Sequence, residues 1–167
     1  QELNIPIPQG TKTVEILCYQ RSIYFRPFYT VAPKPKPKVV RAPNLAVKAH
    51  GGIMQISHNG TTRDYYVFNP SQSLRFTLAN GREANVYVRA RLMDRTLPQF
   101  QVYRNGELIQ TNEFSLKRTT KYKAVGIAHL SVGMKLELPE NSGTVDYELR
   151  AVSDHLFLAR PVLLKAK

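Results

Sequence analysis

The chain has 167 residues, 43% of them hydrophobic, and its 24 Lys and Arg against 12 Asp and Glu give a net charge of +12. This composition excludes wholesale disorder, and the length suits one ordinary domain with a real hydrophobic core. No apolar run approaches the roughly 18 to 20 residues of a membrane-spanning helix. The charge predicts a polyanionic or acidic partner; the alternative is a basic face that serves solubility or packing in an assembly.

The N-terminal part combines a predicted hairpin with a stiff basic linker. Residues 13–19 (TVEILCY) and 22–30 (SIYFRPFYT) have the dense apolar and aromatic content of strands. The Pro-Lys repeat at 33–38 predicts an extended polyproline-like spacer, because proline lacks the N–H that a central strand needs. We therefore divide the chain into a hairpin segment (1–32), a linker (33–43) and a main domain (44–167).

The N-terminal part also suggests a cellular compartment. It begins QELNIPIPQG, without Met, which resembles a mature protein after removal of a targeting segment. We therefore expect an exported protein, periplasmic or at the cell surface. Cys18 is the only cysteine, so an intramolecular disulfide is excluded, and its setting in VEILCY predicts a small buried thiol.

The main domain consists of short strand-like runs separated by turn signals. Asn-Gly pairs at 59–60, 80–81 and 105–106 predict tight hairpins, since both turn residues tolerate positive φ. The stretch 119–132 predicts a loop with one short helical turn or strand. Many short strands with close turns predict an all-β, antiparallel, jelly-roll-like sandwich. The predicted strands are 52–58, 62–68, 73–78, 84–92, 99–104, 107–117, 134–139, 144–152 and 155–164.

Alternation within these runs predicts which face of each strand is buried. In 84–92 (ANVYVRARL), valine and alanine alternate with Tyr87, Arg89 and Arg91. One face should therefore pack in the core and the other should present Arg and Tyr. Arg-Pro pairs at 26–27 and 160–161 predict sheet edges or bends, because proline cannot donate to a sheet ladder.

Three stretches of the main domain, SLRFTLANGREANVYVRARL (73–92), FQVYRNGELI (100–109) and LELPENSGTVDYELRA (136–151), carry a resemblance in fold. The pattern resembles the jelly-roll sandwiches of galactose-binding-like domains and carbohydrate-binding modules. The resemblance covers about three quarters of the chain and implies a two-sheet fold. It assigns no functional role to individual residues.

The residues that carry catalysis or bind metal ions elsewhere form no recognisable motif here. His50, His58, His129 and His155 are scattered and lack metal-ligand spacing. There is no nucleophile elbow, no phosphate-cradling glycine loop and no pair of carboxylates set apart as acid and base. We therefore expect no catalytic, cofactor-binding or metal-binding residues, and no enzyme activity.

Interleaved basic and aromatic residues predict a surface for anions or glycans. Planar guanidinium groups bind carboxylate, sulfate or phosphate in a bidentate manner, and an exposed tyrosine can stack on a sugar. The alternative for the KRTTKYK stretch (117–123) is a merely solvated basic loop. The candidate residues are Arg75, Tyr87, Arg89, Arg91, Tyr103, Arg104, Lys117, Arg118, Lys121 and Lys123.

The sequence supports three hypotheses of function. The first is a non-catalytic, exported subunit of a cell-envelope or surface assembly, whose N-terminal hairpin adds strands to a neighbouring protein. The second is a carbohydrate-binding module for an acidic polysaccharide. The third and weakest is a nucleic-acid-binding accessory protein, for which the charge is the only evidence. The residues expected to bind a protein partner in the first hypothesis are Tyr24, Arg26, Pro27, Phe28 and Tyr29.

Overall fold

A computed structural model describes residues 5–17, Tyr19 and 43–164. The chain divides into two compact units, Gln1–Val39 and Val40–Lys167. In the first unit, residues 13–17 and Tyr19 of the predicted hairpin form no strand, and their side chains are exposed. The predicted second hairpin strand with its five predicted partner-binding residues, the 33–38 spacer and Cys18 lie outside the described residues. The hairpin and the predicted domain boundaries stay predictions.

The second unit is a sandwich of two antiparallel β-sheets, as the strand pattern predicts. The five-stranded sheet has the order β1-β4-β10-β6-β7 and the six-stranded sheet the order β8-β2-β3-β11-β5-β9. No described residue belongs to a helix, and no candidate membrane-spanning helix is found among the described residues. The strands are β1 (Leu45–Ala49), β2 (Ile53–His58), β3 (Thr61–Phe68), β4 (Leu74–Leu78), β5 (Ala84–Ala90), β6 (Gln99–Arg104), β7 (Glu107–Glu113), β8 (Lys123–Ala124), β9 (Met134–Leu138), β10 (Val145–Ala151) and β11 (Phe157–Leu163).

All nine strands predicted for the main domain are present, β6 with the predicted ends and the others with shifted ends. There are two further strands: β1, which was not predicted, and β8. β1 reads LAVKA and is alanine-rich, so it lacks the β-branched and aromatic content that marks strands. β8 has two residues and lies in the 119–132 stretch, where one short strand was among the expected outcomes.

Two of the three Asn-Gly pairs form the predicted hairpins. Asn59-Gly60 joins β2 to β3 and Asn105-Gly106 joins β6 to β7, and all four residues have positive φ. The prediction for Asn80-Gly81 is wrong, because it joins β4 to β5, which belong to different sheets. There the Asn80 side chain accepts a hydrogen bond from the Gly143 N–H at 2.6 Å, which connects the β4–β5 loop to the β9–β10 loop.

The main core lies between the sheets and follows the predicted alternation. Ala84, Val86, Val88 and Ala90 of β5 are completely buried there. Rings from both sheets meet at the centre: Phe157 stacks on Phe68 at 4.9 Å and contacts Phe100 at 5.6 Å between ring centroids. The alternate residues of β5, Tyr87 and Arg89, consequently face outward from the six-stranded sheet.

A second, smaller apolar cluster lies on the outer side of the six-stranded sheet. Tyr65 and Val67 of β3 and Leu158 of β11 belong to it, together with Ala124 and Leu130. The latter two come from the long connection between β7 and β9, which therefore packs over this part of the sheet. The outer face is thus divided into a covered area and an open area, and a groove lies where they meet.

Arg160-Pro161 does not lie on an edge strand, which was one of the two predicted alternatives. β11 lies inside the six-stranded sheet, between β3 and β5. Its pairing with β3 ends at Ala159, whereas pairing with β5 continues to Leu163. From Arg160 onward the strand therefore has one free side, and a proline that cannot donate a hydrogen bond is tolerated there.

Candidate functional site: an arginine-lined groove

The groove on the outer face of the six-stranded sheet has a volume of about 290 Å³. That is close to the lower end of the range of about 300–1,000 Å³ for small-molecule sites. Its charged and aromatic lining comes from Arg63 and Tyr65 of β3, Tyr87 and Arg89 of β5, Arg160 of β11, His58 of β2, and Tyr122. None of the lining residues is Asp or Glu. The groove is therefore a concave, positively charged surface with one exposed aromatic ring, that of Tyr87.

Arg89 is the most constrained charged group of the groove. Its guanidinium carbon lies 3.7 Å from the ring centroid of Tyr122, and the His58 ring stacks on the same ring at 4.2 Å. Two groups at these distances would collide on one face of the ring, so Arg89 and His58 occupy opposite faces of Tyr122. Alternation along β5 predicted an exposed Arg89. The residue is only 8% exposed, because Tyr122, Ser131 and Gly133 pack around it.

Backbone contacts fix the edge of the same guanidinium. Arg89 Nη1 donates to the Ser131 carbonyl at 2.9 Å. Ser131 is itself bound to β5 twice: its N–H donates to the Ala90 carbonyl and its hydroxyl accepts from the Ala90 N–H, both at 2.9 Å. A Cβ at Gly133 would lie 3.0 Å from Arg89 Nη2, so glycine leaves the space that the guanidinium occupies.

The open area of the groove continues across neighbouring strands. Arg160 of β11 pairs directly with Tyr87 of β5, which pairs in turn with Lys135 of β9. Directly paired residues of antiparallel strands project from the same face, about 4.5–5.5 Å apart at Cβ. Tyr87 is 39% exposed, so its ring is available for stacking. Arg63, Arg89 and Arg160 form no ion pair with a carboxylate among the described residues.

Arginine and tyrosine also occur on the outer face of the five-stranded sheet, but there they bind one another and a carboxylate. Glu148 of β10 accepts from Arg75 of β4 at 3.1 Å and from Arg150 at 2.8 Å. Arg150 in turn lies 4.1 Å above the ring of Tyr103. The hydrogen bond from Arg150, supported by Ser73 and Arg75, lowers the pKa of Glu148 to about 2. The arginines of this network are thus paired with a carboxylate of the same chain.

The ten predicted anion-binding residues are consequently divided among four kinds of location. The structure brings Tyr87 and Arg89 together in the groove, whereas Arg75 and Tyr103 belong to the Glu148 network. Arg104 donates to the Asn141 side chain at 3.0 Å. The remaining residues are exposed, one just after β5 and four between β7 and β9; these are Arg91, Lys117, Arg118, Lys121 and Lys123.

Sequence reasoning missed four residues of the groove, His58, Arg63, Tyr65 and Arg160, and considered Tyr122 only as part of the KRTTKYK stretch. One signal was present, since the period of two in the run 62–68 places Arg63, Tyr65 and Val67 on one face. The missing information was which strands are neighbours, because β3, β11 and β5 are adjacent in space but not in sequence.

A second cavity, of about 310 Å³, lies beside His155. His155 is 3% exposed, with Nδ1 3.0 Å from Ser153 Oγ and Nε2 3.9 Å from Asp94 Oδ1. No group of three or more His, Cys, Asp or Glu that could hold a metal ion occurs in the described part of the chain. This cavity brings together fewer charged and aromatic groups than the groove, which is therefore our candidate site.

Comparisons with known proteins find similarity in solved structures alone. No family model and no curated protein matches the chain. A family 35 carbohydrate binding module from an environmental isolate is 16% identical, with a TM-score of 0.44, covering 75% of this chain and 93% of that one. The CBM36-1 domain of a multidomain xylanase from the hindgut metagenome of Trinervitermes trinervoides is 11% identical (TM-score 0.40; 74% and 99% covered). A family 35 module from Clostridium thermocellum is 13% identical, with a TM-score of 0.38, and the match covers 74% of this chain and 90% of that one. At such low identities and TM-scores, what those modules bind is not carried over to this chain.

Proposed function

We propose that this chain is a non-catalytic module that binds an acidic polysaccharide in the arginine-lined groove. The observation that carries the proposal is the lining itself: three arginines, three tyrosines and a histidine meet there without a carboxylate. Since acidic polysaccharides occur in the cell envelope and outside cells, the proposal includes export. The net charge of +12 supports it, because a basic surface attracts a polyanion before contact.

The groove supplies both contacts that an acidic saccharide needs. Guanidinium groups donate paired hydrogen bonds to anionic oxygens, and a half-exposed tyrosine offers a flat surface to the apolar face of a sugar ring. Tyr87 and Arg160, which are directly paired, would provide one contact of each kind at neighbouring positions. The corresponding arginines on the other sheet are already bound to Glu148 and have less to offer an anion.

Calorimetric titration of the full chain with polygalacturonate, dextran sulfate and uncharged dextran tests the proposal. We expect binding to an acidic polymer and none to dextran. Arg160→Gln should weaken binding about 10-fold or more, since a charge-assisted hydrogen bond contributes about 1.5–3 kcal/mol. Arg75→Gln, the same change on the other sheet, is the matched control and should alter affinity less than about twofold.

Two results would contradict the proposal. One is the absence of binding to both acidic polymers; the other is equal weakening by Arg160→Gln and Arg75→Gln, which would make the attraction a general effect of charge. Competition with single-stranded DNA of matched charge separates glycan binding from nucleic-acid binding. If DNA of equal charge displaces the polysaccharide, nucleic-acid binding is favoured, because arginines that merely neutralise phosphates would bind the DNA as well.

Strand addition to a neighbouring protein is a second candidate function, favoured by a different observation. β7 is an edge strand of seven residues with neither Lys nor Pro, and its Leu108 and Ile109 are 47% and 49% exposed. Such edges readily accept another strand. The other edge strands are short, and β1 and β9 carry a lysine. The described residues of the first unit also expose apolar side chains, including Ile16 and Leu17.

Light scattering tests strand addition. We expect the full chain to form an oligomer that becomes monomeric when residues 1–38 are deleted, and also when Ile109→Lys places a charge on the β7 edge. Lys135→Ala on the edge strand β9 is the control and should leave the mass unchanged. A full-length chain that is monomeric in solution would rule out strand addition between copies of this chain.

A further inference from the structure

Arg89 has a buried positive charge that nothing in the described part of the chain neutralises. The residue is 8% exposed and forms no ion pair there. Its one hydrogen bond among the described residues uses a single donor, to Ser131, out of the five that a guanidinium carries. The described buried side-chain atoms without a hydrogen-bond partner include none from Arg89, so its unused donors are open to solvent. A largely buried charge is nevertheless costly unless it is paired, and such a group calls for an explanation.

The surroundings of Arg89 orient the guanidinium and leave one direction of approach. Tyr122 covers one of its faces and the Ser131 carbonyl takes one N–H, while Gly133 allows backbone to lie close to Nη2. The unused donors lie at the groove, which Arg89 lines. A ligand oxygen must therefore approach near the guanidinium plane, and this is the geometry of a paired, fork-like interaction.

A planar carboxylate fits this arrangement best. Its two oxygens lie in one plane and can accept two parallel N–H bonds, and its single negative charge balances the single buried cation. A sulfate ester also carries one negative charge and can accept two parallel N–H bonds, but its remaining oxygens lie outside the guanidinium plane, whereas a carboxylate is planar throughout. A general attraction for anions would not require a buried, oriented arginine; exposed lysines would be enough.

We propose that Arg89 binds the carboxylate of a uronic acid residue, and that Tyr122, Ser131 and Gly133 are the positioning residues that orient it. The inference rests on the proposed function and narrows it from acidic polysaccharides to those that carry carboxylates. Arg63, Arg160 and Tyr87 then contact neighbouring parts of the saccharide.

The experiment measures binding of the full chain to three probes: polygalacturonate, the same polymer with its carboxyls reduced to alcohols, and dextran sulfate. Wild type should bind the first at least about 10-fold more tightly than the other two, as expected for loss of one charge-assisted pair. Arg89→Met should abolish measurable binding. Arg89→Lys keeps the charge but lacks the fork, and should weaken binding about 10-fold.

Gly133→Ala tests the positioning without touching the charge. The added methyl group must displace the guanidinium by a few tenths of an ångström, so we expect about 3- to 10-fold weaker binding, with the preference for carboxylate over sulfate reduced. A merely structural role of Gly133 would lower stability and leave this preference intact. Arg75→Lys on the other sheet is the control for Arg89→Lys and should have no effect. Unfolding midpoints of all variants verify that they are folded.

The outcomes separate this inference from the proposed function. If Arg160→Gln weakens binding to polygalacturonate but Arg89→Lys and Arg89→Met do not, the groove binds the polysaccharide and the role of Arg89 is refuted. Tighter binding to dextran sulfate, or equal binding to the reduced polymer, refutes the carboxylate specificity. Absence of binding to every probe refutes both proposals. Should Arg89→Met fail to fold, Arg89→Lys and Gly133→Ala still decide the question.

Discussion

On the outer face of the five-stranded sheet, Arg75 and Arg150 share the carboxylate of Glu148. On the outer face of the six-stranded sheet, Arg89 is more deeply buried and yet has no carboxylate among the described residues. The same residue types are therefore paired within the chain on one side of the sandwich and unpaired on the other. Pairing on the five-stranded sheet supports the fold, whereas the buried, unpaired Arg89 is the group that we propose to bind an anion.

Residues next to these arginines reinforce the contrast. On the five-stranded sheet, Asp146 accepts a hydrogen bond from Thr77 at 2.9 Å and pairs with Lys48 at 3.1 Å, and these contacts lower the pKa of Asp146. In the groove, the groups beside Arg89 are rings and backbone, which orient it without neutralising it. Pairing within the chain thus neutralises Lys48 and shares Glu148 between two arginines on one face. On the other face Lys135 of β9 pairs with Glu137, but the arginines that line the groove have no carboxylate partner among the described residues.

The largest expected effect comes from a substitution in the hydrophobic core, which supports both outer faces. Phe157 is completely buried and stacks on Phe68 between the sheets, so Phe157→Ala should lower the free energy of unfolding by about 3–5 kcal/mol. Both outer faces should be lost in the same urea transition, followed by circular dichroism. Val152→Ala, at an exposed position just after β10, is the control and should change stability by less than about 0.5 kcal/mol. A loss below about 1 kcal/mol for Phe157→Ala would mean that the sheets do not depend on one core.

A smaller loss is expected from breaking the paired face. Glu148→Gln leaves Arg75 and Arg150 without their shared carboxylate, and should cost about 1–2 kcal/mol, since both arginines are partly in solvent that screens the interaction. Urea unfolding at neutral pH measures it. Affinity for polygalacturonate should not change, because the groove lies on the other sheet. A change in affinity without a change in stability would reverse the roles that we assign to the two faces.

Acid should remove from the wild-type chain the stabilisation that the Glu148 carboxylate contributes. The pKa of Glu148 is lowered from 4.5 to about 2, so this carboxylate stabilises the fold fully above pH 4.5 and loses the effect as pH falls toward 2. The difference in unfolding free energy between wild type and Glu148→Gln should therefore shrink across this interval. It should be nearly absent at about pH 2, with at most about 1–2 kcal/mol involved. A difference that stays constant down to that pH would show that pairing with arginine is not its source.

Local patterns in the sequence were enough to predict the sandwich and the core face of its strands, but not the roles of the arginines. Alternation in β5 identifies Val86 and Val88 as core residues, because this pattern depends only on adjacent positions. The pairing of Arg75 with Glu148 depends on β4 and β10 being neighbours, although they are far apart in sequence. The burial of Arg89 depends on residues 122–133 packing over β5. Neither relation is encoded in a local pattern, so all ten basic and aromatic candidates looked equivalent.

The smallest expected effect on stability belongs to the residue with the largest expected effect on binding. Arg89→Met removes a stacking interaction with Tyr122, about 0.5–2 kcal/mol, and one hydrogen bond to Ser131. It also removes a positive charge whose burial is not offset by a carboxylate, and it keeps most of the side-chain volume. These contributions oppose each other, so the free energy of unfolding should change by less than about 1 kcal/mol in either direction, as measured by urea unfolding. A loss as large as that of Glu148→Gln would show that Arg89 is retained for stability, and the contrast between the two faces would disappear. Unchanged or higher stability together with lost binding is what a charge reserved for a ligand requires.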